Sequence, residues 1–146
     1  MKVLPAIFIS SLIILLIACG KDKFETKPKL EIKDYNTKEV PIDGVLRIRI
    51  NYFDKEGDLS ETPIIGIRDR LNIFPANADR ADTFRTFLPE FPSREKGEIA
   101  FQILHKDLYE STAEPDTVVF RFAITDKAGN MSDTVTSDKI VIQFKP

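Results

Sequence analysis

Val45-Leu46-Arg47-Ile48-Arg49-Ile50-Asn51-Tyr52 puts Leu46, Ile48, Ile50 and Tyr52 on one side of an extended chain and Arg47, Arg49 and Asn51 on the other. A strand alternates its side chains with period two, so this segment predicts a strand with one buried and one wet face. The same count returns at Val118, Phe120, Phe122 and Ile124, at Ile99, Phe101 and Ile103, and at Ile140, Ile142 and Phe144, with shorter candidates at Leu30/Ile32 and Ile65/Ile67. No stretch after the first twenty residues carries a helical stripe. The nearest is Leu104 to Glu110, which is too short to stand alone. Turn residues separate the alternating runs: Pro41-Ile42-Asp43-Gly44, Asp54 to Asp58, Pro75 to Pro92 with its prolines, Glu114-Pro115-Asp116, and Asp126 to Asn130. Six or seven strands with one apolar face each bury those faces best as two stacked antiparallel sheets, because a single open sheet would leave its apolar side wet. The expectation is one all-β sandwich of about seven strands over residues 30–146, with no internal repeat.

Val118-Val119-Phe120-Arg121-Phe122-Ala123-Ile124-Thr125-Asp126-Lys127-Ala128-Gly129-Asn130 resembles the penultimate strand and following turn of bacterial immunoglobulin-like and fibronectin type III-like domains. The resemblance implies an immunoglobulin-like antiparallel β-sandwich. It is specific over about twenty residues. There is no Trp, and the single Cys leaves no pair for the sheet-to-sheet disulfide of antibody domains. A shared fold of this kind does not import a function.

The first eighteen residues read differently. Met1-Lys2 is a short basic start, and Val3 to Ala18 is an apolar run broken by Pro5, Ser10 and Ser11. The run is shorter than the roughly 20 apolar residues that cross a bilayer, and it has the proportions of an export signal. Leu16-Ile17-Ala18-Cys19 resembles the lipobox of bacterial lipoproteins. That resemblance implies cleavage after residue 18, a diacylglyceryl group on the Cys19 sulfur and an acylated new amino terminus, which together give firm membrane attachment. Residues 19–29 then form the lipidated Cys and a charged tether, whose extended reach is roughly 30 Å. Gly20 after the Cys resembles the pattern that sorts lipoproteins to the outer membrane, and Lys21-Asp22 resembles the short charged signals of Bacteroidetes surface lipoproteins. Which face of that membrane the protein occupies stays open.

Several classes of chemistry are disfavoured from the residues alone. Lys+Arg number 21 against 23 Asp+Glu, a net charge of −2, which does not suit a nucleic-acid binder. His105, the only imidazole, forms no His-rich metal site, finds no Gly-x-Ser-x-Gly nucleophile, and is expected in a solvated loop. Gly57 and Gly129 are isolated turn glycines, so no phosphate-cradling loop is expected. Pairs of carboxylates arise by accident among so many acids, and no enzyme activity is expected.

Two groups remain as candidate sites. Asp54, Glu56 and Asp58 place three carboxylates at alternate positions, and they fail the EF-hand pattern because Leu59 and Ile65 stand where its Gly and Glu belong. If the strand ending at Tyr52 is B and the strand ending at Thr125 is F, their exit loops share one pole, where Asp126 and Asn130 approach Asp54, Glu56 and Asp58. The first reading is plain turn chemistry; the second is a structural Ca2+ clamp. The other group is Phe74, Phe84, Phe87 and Phe91. Exposed, they would stack on sugar rings or dock a protein; buried, they line an edge strand around Thr83 to Leu88. Phe84 and Phe87 fall on opposite strand faces, so at least one is expected to point inward. The functional expectation is a lipid-anchored, outer-membrane, non-catalytic binding or assembly module whose partner is an envelope protein, the alternative being capture of a surface glycan through residues 73–92.

Overall fold

The computed structural model describes residues 26–72 and 82–146. The export signal, Cys19, the tether as far as Glu25, and Phe74 lie outside the described residues. Nine strands are present among those described: β1 (Lys29–Tyr35), β2 (Glu39–Val40), β3 (Val45–Phe53), β4 (Pro63–Arg70), β5 (Thr83–Phe87), β6 (Lys96–Leu104), β7 (Asp116–Ile124), β8 (Val135–Thr136) and β9 (Ile140–Ile142). One helical turn, α1 (His105–Leu108), follows β6, where the sequence offered only Leu104 to Glu110. Pro28 is already buried and β1 starts at Lys29, so the chain joins the sandwich just ahead of Leu30.

The strands form two sheets, ordered β1-β3-β6 and β2-β9-β7-β4-β5, with β8 also pairing β7. In immunoglobulin lettering these are A-B-E and A′-G-F-C-C′, the immunoglobulin order with irregular chain from Leu88 to Glu95 in place of strand D. The described protein is an immunoglobulin-like β-sandwich. All pairings are antiparallel except β2 with β9, where Val40 lies beside Ile142. Between Ile32 and Asp34 the β1–β3 register slips by one residue, a bulge that sets Asp34 opposite Arg49.

The core follows the alternation. Leu46, Ile48, Ile50 and Tyr52 of β3 face Val118, Phe120, Phe122 and Ile124 of β7, and all eight are buried. Phe101 of β6 meets Phe122 edge-on with ring centroids 4.9 Å apart, and Phe84 of β5 meets Phe101 edge-on at 6.1 Å. The face of β4 is the opposite of the one expected. Ile64, Gly66 and Arg68 point inward, and Ile65 and Ile67 are only half-buried. Gly66 explains this, because the rings of Phe122 and Phe101 already fill the space beside it: a Cβ there would stand 3.1 Å from Phe122 and 3.2 Å from Phe101. Arg68 is tolerated inside because Glu110 accepts from its guanidinium at 2.5 Å and the Leu108 carbonyl at 2.8 Å.

The chain pairing the far side of β7 is interrupted on both sides of β8, and one serine at each interruption, Ser132 before β8 and Ser137 after it, takes over hydrogen bonds there. Ser137 accepts from the Phe120 amide at 2.9 Å, and Ser132 accepts from the Ile124 amide at 3.0 Å. Each serine also returns its own amide to the carbonyl of the same residue. The interruptions therefore leave neither backbone group of Phe120 or Ile124 without a partner.

Candidate functional site at one pole of the sandwich

The exits of β3 and β7 lie at the same pole, as the strand lettering required, and the two loops there are built alike. Asp54 follows β3, and its Oδ2 accepts from the Asp58 amide at 2.9 Å. Asp126 follows β7, and its Oδ1 accepts from the Asn130 amide at 2.7 Å. In each loop the third residue after the Asp is a glycine of positive φ, Gly57 at 67° and Gly129 at 88°, and its amide donates to the backbone carbonyl of that Asp. The turn chemistry read from the sequence is thus present in both loops.

The same geometry gathers acids. One carboxylate oxygen from each of Asp54, Asp58 and Asp126 lies within 4.8 Å of the others. Asp54 is 2% exposed and Asp126 4% exposed, while Asp58 is half-buried. Asn130 does not join as a further acid would; its side-chain amide donates to Asp126 Oδ2 at 2.8 Å and holds that carboxylate in place. Glu56 is exposed and stands outside the group, although its charge reaches Asp54. Burial pushes the Asp54 carboxyl above the usual carboxylate range, and the charges of Asp58, Glu56 and Asp126 push the same way against the Asp58 amide. Oδ1 of Asp54 and Oδ1 of Asp58 are buried without a hydrogen-bond partner.

The aromatic group divides. Phe84 and Phe91 pack against the core, Phe91 tilted over Tyr52 at 6.1 Å with the Arg94 guanidinium 5.9 Å from its ring. Phe87 is 66% exposed at the end of β5. Beside it runs an open groove of about 720 Å³ between β5 and β6, lined among others by Thr83, Phe84, Thr86, Phe101, Ile103 and Asp107. Both strands are the last of their sheets among the described residues.

His105 corrects the expectation of a solvated loop. It is fully buried at the start of α1, stacked on Tyr109 with centroids 4.9 Å apart, and its Nε2 lies 2.5 Å from the Gln143 carbonyl. Its helical turn and the β9 exit close over it, which the residue's polarity alone did not suggest. Asp116, expected in a turn, opens β7 and accepts from the amides of Glu110 and Ser111. The ionic cluster of Arg68, Arg70, Asp82 and Glu110 had no signal in the sequence beyond the Arg-x-Arg spacing of β4.

No family model matches the chain. No curated protein matches it. Among solved structures it is similar to the sporulation control protein Spo0M of Bacillus subtilis, at 9% identity and a TM-score of 0.42, over 82% of this chain and 50% of that one. It is also similar to a β-glucosidase of Kluyveromyces marxianus, at 13% identity and a TM-score of 0.38, over 82% of this chain and 15% of that one. The chain therefore spans half the length of the first and a small part of the second, and likeness at this level assigns no activity.

Proposed function

We propose that this chain is a lipid-anchored, non-catalytic binding module of a bacterial cell envelope, held to the outer membrane through Cys19 and engaging an envelope protein along the open flank of its sandwich. The observation that carries the binding role is the β5 edge: a short, exposed strand ending in Phe87, next to a groove whose floor includes Phe84 and Phe101. An extended segment of a partner gains main-chain hydrogen bonds at such an edge and places alternate side chains in the groove. The non-catalytic reading is supported by where the polar groups are used: His105 is buried at the start of α1, Arg68 is bonded to Glu110, and Asp116 accepts from the Glu110 amide. The anchor rests on the lipobox resemblance of residues 16–19.

Two measurements in intact cells test it. Labelling with a fatty acid is expected in the native chain and lost in Cys19→Ser; label that survives the substitution defeats the anchor. Photo-crosslinkers placed at Arg85 and Thr86 are expected to capture a protein, while the same group at Glu39 on the far edge captures none. Equal capture at both edges, or retention of the protein on a glycan gel in place of any crosslink, defeats the protein-partner reading.

A further inference from the structure

We propose that Asp54, Asp58 and Asp126 bind a divalent cation, of Ca2+ chemistry, that clips the end of β3 to the end of β7 and so ties the two sheets together at one pole. The three carboxylates come from different sheets, two from the loop after β3 and one from the loop after β7. Closing the two turns uses Asp54 Oδ2 and both Asp126 oxygens, and it leaves Asp54 Oδ1 and Asp58 Oδ1 buried with no donor. Asp54 itself is 2% exposed, so bulk solvent scarcely reaches it.

A buried carboxylate oxygen without a donor is costly, and three carboxylates this close add repulsion. One proton shared between Asp54 and Asp58 would join those two oxygens but leave two of the three negative charges of the cluster in place. A cation relieves both and neutralises the repulsion at the same time. The three oxygens lie within 4.8 Å of one another, close enough to share one ion. Ca2+ accepts irregular sets of carboxylate and carbonyl oxygens such as two loops offer, whereas Mg2+ demands a near-ideal octahedron and keeps its waters. Antibody domains join strands B and F by a disulfide, and here the equivalents of B and F, lacking a Cys pair, end in acids that face each other. The cation would supply at the pole the cross-link that the core lacks.

The test uses the full chain in detergent, stripped with chelator and titrated with calcium chloride, read by calorimetry and by melting. Saturable heat is expected, with a rise in Tm on the order of 5 °C or more between chelator and saturating Ca2+. Asp58→Asn keeps the backbone amide that closes the turn, and its Oδ1 has no hydrogen-bond partner among the described residues, so it is expected to fold normally and lose the response. In chelator Asp54→Asn is expected to melt at or above the native chain, since it removes a buried charge, and it too no longer responds. Glu56→Gln keeps the response. Absence of heat and of any shift in the native chain overturns the proposal, as does a response that persists in both Asp58→Asn and Asp54→Asn. An equal response to Mg2+ at the same concentration overturns the choice of ion.

Discussion

Gly97 and Tyr52 are direct partners across the β3–β6 ladder, and a Cβ placed on Gly97 would stand 2.5 Å from the Tyr52 hydroxyl. The phenol lies flat over the strand where the glycine leaves room. It cannot swing away freely, because it is buried and Phe91 packs on it. Gly97→Ala is therefore expected to cost about 1–3 kcal/mol, the usual range for overpacking. The urea midpoint should fall with an unchanged slope. A midpoint equal to the native one would show that the ring moves at no cost.

Glu110 serves two guanidiniums at once. Its Oε1 accepts from Arg68 Nη2 and from Arg70 Nη2, both at 2.5 Å, and its Oε2 from Arg70 Nε at 2.8 Å. Removing its charge leaves a buried Arg68 with only the longer 3.3 Å contact to the half-exposed Asp82 and the Leu108 carbonyl, whereas removing Arg68 leaves Glu110 still paired with Arg70. Glu110→Gln is thus expected to cost about 3 kcal/mol, the low end for breaking a buried pair, and Arg68→Met distinctly less. Urea unfolding of the two variants side by side decides the order, and the reverse order would contradict this account of the cluster.

Ser132 and Ser137 each replace a missing strand bond with a hydroxyl. Ser137→Ala and Ser132→Ala leave the amides of Phe120 and Ile124 without their side-chain acceptor in a buried setting, at an expected cost of about 1–3 kcal/mol each. Amide exchange at Phe120 and Ile124 should quicken in the matching variant and not in the other. Cysteine in place of either serine restores only a weak acceptor, and recovers less than threonine does.

Alternation was enough to place β3, β6 and β7 and to name their inward residues, because period two in a half-buried strand is written in the residues themselves. It failed at β4, where Ile65 and Ile67 look like the core side. What decides that strand is long-range: Gly66 has room only for the rings of Phe122 and Phe101, and Arg68 goes inside because Glu110, forty-two positions later, is there to meet it. The pole was legible for a related reason. Asp-x-x-Gly recurs after both strands, and the immunoglobulin order puts those strands' ends together, so Asp54, Asp58 and Asp126 could be brought to one place from sequence. Whether Glu56 pointed inward was not legible, since a turn residue's direction follows from the backbone dihedrals of the turn, which the residue types alone do not fix. His105 was misread because a lone polar ring carries no sign of the α1 turn and the Gln143 carbonyl that bury it.

The outer face of the β1-β3-β6 sheet contributes to the acid response. Arg49, hydrogen-bonded to Asp34, holds the Asp34 carboxyl below its usual range, and Lys33, 2.6 Å from Glu98, does the same for Glu98. Both carboxyls have folded values below their unfolded ones of about 4, so near that pH the unfolded chain binds more protons than the folded one. Their contribution is then whole above the unfolded value and is lost as pH falls through the lower, folded value. Urea midpoints measured from about pH 5 down to about pH 3 should fall in the native chain, and fall less steeply in the double variant Asp34→Asn/Glu98→Gln. These side chains are more than a third exposed, so the difference should also shrink in high salt, where surface charges are screened. An identical slope in the two proteins at low salt would mean that the bulge at Lys33 orders the strand without any help from its charges.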